Sequence, residues 1–152
     1  MHTNRVRVIL GGLLAGVVIN VVESITNGVI LKDTWAQAMQ SLGKPAPFSP
    51  GAIVIFNISG FLLGIAAVWI YAAIRPRYGA GPNTAIRAGL AAWALAVFIS
   101  NLSMYPMGLF PTRVLMIVTI VALIEIVVAT VVGAWVYTER EGQPTAAQRA
   151  AA

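Results

Sequence analysis

From Val8 to Leu31 the chain is a single apolar run, and three more follow at about Gly51–Ile74, Thr84–Tyr105 and Val114–Tyr137. Each is close to the roughly 20 apolar residues that cross a bilayer core of roughly 30 Å. Backbone polar groups in hydrocarbon must be satisfied within their own segment, so runs of this kind fold as helices. Composition agrees: 59% of the 152 residues are hydrophobic and 10% are charged, with mean hydropathy +0.83. A soluble domain carries about 25% charged residues. The expected fold is all-α, a four-helix transmembrane bundle forming one domain over residues 1–140, with a short polar tail at 138–152 expected to fray.

Prolines and arginines mark the ends of these runs. Pro50 precedes the second, Arg75 and Pro76 follow it, Pro106 closes the third, and Pro111 and Arg113 precede the fourth. Arg5 and Arg7 stand before the first. That run is longer than the roughly 7–15 apolar residues of a cleaved leader, so it reads as a retained span. Arg5, Arg7, Arg75, Arg77, Arg87, Arg140 and Arg149 fall on one side of the membrane, and Lys32, Lys44 and Arg113 on the other. Basic residues favour the cytoplasmic side, so both termini are expected there, in a multi-pass protein of the cell (inner) membrane. The net charge of +5 comes from bases flanking apolar runs. The expected partner is therefore the lipid bilayer and not nucleic acid.

The loop from Lys32 to Pro50 differs from the other connections. Trp35, Ala38, Met39 and Leu42 share one face of a short amphipathic helix that Asp33 or Thr34 can cap. Gly43 is placed to end it, and Pro45, Pro47 and Pro50 prevent its continuation. This helix reads as lying on the outer membrane surface with Trp35 at headgroup depth, or else as a lid.

Every span carries a stripe of small or polar residues at helical spacing. In the first it is Gly12, Gly16, Asn20, Glu23 and Asn27, and in the second Asn57, Gly60, Gly64, Ala67 and Tyr71. In the third it is Gly89, Ala92, Ala96, Ser100 and Ser103, and in the fourth Ala122, Glu125, Ala129 and Gly133. Small residues four apart let helix backbones approach closely in lipid, where burial gives no drive to association. The Gly12–Gly16, Gly60–Gly64 and Ala129–Gly133 pairs are the expected packing points. The ends of spans two and four also match, with Trp69 and Tyr71 against Trp135 and Tyr137. Gly12-Leu13-Leu14-Ala15 matches Gly89-Leu90-Ala91-Ala92. The chain reads either as a duplicated helical hairpin or as a reflection of the interfacial preference of Trp and Tyr.

At roughly 1.5 Å per residue, the polar side chains of all four spans, including Ser100 and Asn101 of the third, are expected at similar depth in the outer half. Glu23, Glu125, Asn20, Asn27, Asn57 and Ser100 are the candidate ligand- or ion-binding residues. A carboxylate within a span costs roughly 3 kcal/mol to insert, and two in a small chain call for an explanation. They can bind a cation, a proton or a polar ligand, or serve as structural glue bonded to Asn and Ser of neighbouring helices.

Enzyme chemistry is not expected. The chain has no cysteine, its only histidine is His2, and no Ser–His pair or nucleotide-binding glycine loop is present. No catalytic residue, metal site or cofactor is therefore assigned. The pattern Asn27-Gly28, Leu31, Trp35, Ala38-Met39 and Leu42-Gly43 after the first span resembles that of uncharacterised small four-span integral membrane proteins of bacteria. The stretch Asn57-Ile58-Ser59-Gly60-Phe61-Leu62-Leu63-Gly64 is similar to the second-span signature of small dual-topology fluoride channels. The threonine- and phenylalanine-rich break of those channels is missing from span three, and the basic bias argues against dual topology. The likeness therefore reads as helix packing. Two functions follow from the sequence: binding or passage of a small polar species, cation or proton through an outward-facing pocket, or a non-catalytic accessory role. In either, the chain can stand as a homo-oligomer or within a larger membrane complex.

Overall fold

The computed structural model describes residues 4–45 and 48–137. Four helices among them are long and apolar enough to cross a membrane: Arg5–Ile30, Pro50–Tyr78, Pro82–Met107 and Thr112–Val136. They are spans one to four. A fifth, shorter helix, Lys32–Ser41, lies in the loop between spans one and two, the loop expected outside and called the outer loop below. The chain is an integral, multi-pass membrane protein whose spans form a helical bundle. The expected tail, with Arg140 and Arg149, and Pro47 of the outer loop lie outside the described residues.

The spans begin and end where their local chemistry directs. The Asn4 side chain accepts from the Arg7 N–H at 3.2 Å, and Ser49 Oγ accepts from Ala52 N–H at 3.2 Å just before Pro50. Both satisfy a donor that an N-terminus would otherwise leave open. Span two does not stop before Arg75 and Pro76 as expected. It runs through Pro76 to Tyr78 and ends at Gly79, whose φ of 83° suits glycine. Near a helix end the one hydrogen bond a proline removes is a small loss. The outer helix also departs from expectation. Neither Asp33 nor Thr34 caps it, because it continues from span one with only Leu31 between, and Trp35 N–H donates to Leu31 O at 2.9 Å. Gly43, at φ 65°, ends it as expected.

Span one packs against spans two and four, and span three packs against the same two. Spans two and four also touch across the short diagonal. Glycine makes these contacts possible. A Cβ on Gly64 would lie 2.5 Å from Gly12 O and from Gly16 N, and one on Gly133 would lie 2.6 Å from Gly11 O. On Gly89 it would lie 2.9 Å from Val127 Cα and 3.1 Å from Thr130 Oγ1. The two hairpins thus share a register. Gly12 meets Gly64 in one and Gly89 meets Thr130 in the other, at the offsets of 77 (89 minus 12) and 66 (130 minus 64) that relate the sequence matches.

The half of the bundle nearest the N-terminus has an apolar core of Val8, Ala15, Val68, Ala72, Ala85, Ala88, Ala129 and Ala134. Tyr71 and Tyr137 close its end, ring to edge at 5.9 Å, with the Arg75 guanidinium 5.6 Å from the Tyr137 ring centre. Arg7 Nη1 donates to Val136 O at 3.3 Å, placing a cation at the carbonyl end of span four. Large side chains such as Val54, Ile55, Leu62 and Trp135 stay exposed, as lipid contact requires.

Two π-helical segments interrupt the spans, Thr26–Ile30 in span one and Ala94–Phe98 in span three. A π-turn adds a residue to the turn and rotates everything beyond it by about 100° relative to an unbroken α-helix. The effect on span three is direct. Gly89 and Ala92 are buried as the stripe predicts, whereas Ala96, Ser100 and Ser103 are exposed. The inward line passes to Trp93, Val97 and Asn101.

Candidate functional site

The stripes of spans one, two and four turn inward along their whole length, so Asn20, Glu23, Asn27, Asn57 and Glu125 are all half-buried or buried. Ser100 is not among them. The π-segment turns it outward, and Asn101 takes its place, donating to Thr119 Oγ1 at 2.7 Å. Trp93 Nε1, about two turns before Asn101 on span three, donates to Thr119 O at 3.0 Å. The sequence named neither Thr119 nor Trp93, and only a π-turn, which carries no residue signature, brings Asn101 round to meet them.

The Gly11–Gly133 contact and the seat of Gly64 midway between Gly12 and Gly16 set the relative heights of the polar groups. At roughly 1.5 Å per residue, Glu125 stands about 12 Å above the Gly11–Gly133 level, Asn20 about 14 Å, Asn57 about 15 Å, Glu23 about 18 Å and Asn27 about 24 Å. They form a ladder ascending from mid-membrane. Asn20 Nδ2 donates to Asn57 O at 3.1 Å, and Asn57 Nδ2 to Ile53 O at 2.8 Å. Gly60 makes the first contact possible, since a Cβ there would lie 2.5 Å from Asn20 Oδ1.

Glu23 is held from above. Asn27 Nδ2 donates to Glu23 Oε2, and Trp35 Nε1 donates to Asn27 Oδ1 at 2.9 Å. The outer helix is thereby tied to the carboxyl through one amide. The Trp35 ring also meets Phe110 at 5.6 Å and Phe48 at 6.4 Å, and Phe48 meets Phe56 at 5.5 Å. This aromatic group joins the outer helix, the start of span two and the loop before span four. Trp35 is therefore half-buried against protein.

Glu125 has a different environment. It is 4% exposed, and its Oε2 is buried with no hydrogen-bond partner. Glu23 stands about 6 Å higher on span one, which packs against span four. A cleft of about 300 Å³ opens beside it between spans one and four, lined by Val18, Val22, Val121, Ile124, Glu125 and Val128. Among the described residues every basic side chain sits at a helix end or in a loop, so none reaches this depth. No group of three or more His, Cys, Asp or Glu among the described residues could hold a metal ion. The remaining candidates Gly12, Gly16, Gly60, Gly64, Ala129 and Gly133 are buried at helix contacts. Gly11, which the sequence did not single out, is as tightly placed as any of them. No protein family, curated sequence or solved structure matches this chain.

Proposed function

We propose that this membrane protein binds a small polar species, a cation or a proton, at Glu125 with Glu23 beside it, and passes it along the ladder toward Asn27. The observation that carries the reading is the Glu125 carboxyl, 4% exposed with an unpartnered Oε2. A buried carboxyl without a partner costs free energy, and intramembrane acids retained at that cost mark ion and proton paths. Asn20, Asn57 and Asn27 supply amide groups above it, which can relay or coordinate what the carboxyls attract. The Trp35–Asn27–Glu23 chain ties the outer helix to the same line, so movement of that helix alters the surroundings of Glu23.

Reconstituted liposomes test the reading. Proton and monovalent-cation flux is measured under an imposed gradient for the wild type and for Glu125→Gln. Flux that falls at least tenfold in the variant, with the fold retained, supports the proposal. Flux that is absent from the wild type, or unchanged in the variant, returns the protein to an accessory role.

A further inference from the structure

We infer that the Glu125 site takes a lipophilic amine, a cation with a compact apolar body, entering sideways from the bilayer between spans one and four. This rests on the proposal that Glu125 is a binding group and names the class of molecule it binds. Three observations lead to it. The cleft beside Glu125 has five apolar residues, Val18, Val22, Val121, Ile124 and Val128, and one acid. An inorganic ion would gain nothing from the aliphatic wall, whereas an amine with an apolar body gains from both parts.

The second observation is depth. Glu125 lies 13 residues from Thr112 and 11 from Val136, about 20 and 17 Å along the helix, and so near the bilayer midplane. The third is access. At one end of the bundle lies the apolar core with Tyr71 and Tyr137, and at the other Trp35, Phe48, Phe56 and Phe110 pack together. Ile124 and Val128 are exposed on the outer wall of the bundle, so the cleft opens to the hydrocarbon. A molecule that partitions into lipid reaches it directly. The unpartnered Oε2 lies buried behind this aliphatic wall, and an ammonium that parts the wall to reach it is selected over a neutral isostere by charge complementarity.

The test uses the whole chain in nanodiscs and tritiated 1-aminoadamantane, with 1-adamantanol as the neutral isostere. Saturable binding above empty nanodiscs is expected, competed by unlabelled amine and at least tenfold less by the alcohol. Glu125→Gln should weaken it at least tenfold. Val128→Phe, which fills the cleft from an exposed position and leaves the carboxyl in place, should do the same without lowering thermal stability. Absence of saturable binding, equal competition by the alcohol, or full binding in Val128→Phe overturns the inference. If the amine does not bind but cation or proton flux still depends on Glu125, this inference alone fails. If neither depends on Glu125, the proposed function falls with it.

Discussion

Gly11 and Gly133 face each other across spans one and four so closely that a Cβ on Gly11 would lie 2.5 Å from Gly133 O, and one on Gly133 would lie 2.6 Å from Gly11 O. Neither backbone can yield without separating the spans. Gly133→Leu and Gly64→Leu should therefore each cost about 3 kcal/mol or more, at the upper end of overpacking effects. Val17→Leu, at an exposed position, and Gly28→Ala, with nothing within 4 Å of its Cβ, should stay within about 0.5 kcal/mol. Thermal denaturation of purified protein in detergent separates the two groups. Equal stability across all four would refute the assigned contacts.

Ser100 and Asn101 test the π-turn. Ser100 is exposed, so Ser100→Ala should change stability by less than about 0.5 kcal/mol. Asn101→Leu removes the bond to Thr119 and should cost about 0.6 kcal/mol, the average for such bonds in membrane helices, with about 1.7 as the upper bound. A larger loss at Ser100 than at Asn101 would mean that span three continues as an unbroken α-helix.

Trp35→Phe keeps the ring among Phe48 and Phe110 but deletes the donor to Asn27. Net loss should be about 1 kcal/mol. Asn27→Leu should remove the same coupling, so the two substitutions together should cost less than their sum. Hydrogen exchange over Lys32–Ser41 gives an independent measure and should rise in both variants. Unchanged exchange would show that the outer helix is held by the aromatic rings alone.

Glu125 and Val22, the residue before Glu23, line one cleft between spans one and four, which brings the two acids to the same seam. Stability changes in Glu23→Gln and Glu125→Gln should be non-additive by about 0.5–3 kcal/mol, the range for residues that interact directly. The measurement is a double-mutant cycle on thermal stability. Additive changes would place the two carboxyls in separate environments.

The membrane direction rests on the arginine and lysine distribution, and the chain contains no cysteine to interfere with labelling. Cysteine introduced at Gly43 should react with an impermeant thiol reagent added outside intact cells, and cysteine at Gly79 only after permeabilisation. Labelling of both from outside would indicate insertion in two directions.

Span number, the outer helix and the inward faces of spans one, two and four were legible in the sequence because each depends on a periodicity. An apolar run of bilayer length can only be helical in lipid, and an unbroken α-helix carries its stripe to one side. The same reasoning failed in the outer half of span three, where the π-segment at Ala94–Phe98 exchanged Ser100 for Asn101. Pairing between helices was likewise beyond it. Periodicity says which face a residue occupies, but not which neighbour meets that face or at what height. Only the close contacts of Gly11 with Gly133 and Gly12 with Gly64 set those heights. From them follow the bond from Asn20 to Asn57 O and the isolation of Glu125 beside an aliphatic cleft. Sequence alone determined that two acids lie inside the membrane. The tertiary structure decided that Glu23 is bonded to Asn27 and Glu125 is left with an unpartnered oxygen, because helix register selects which side chains come within hydrogen-bonding reach.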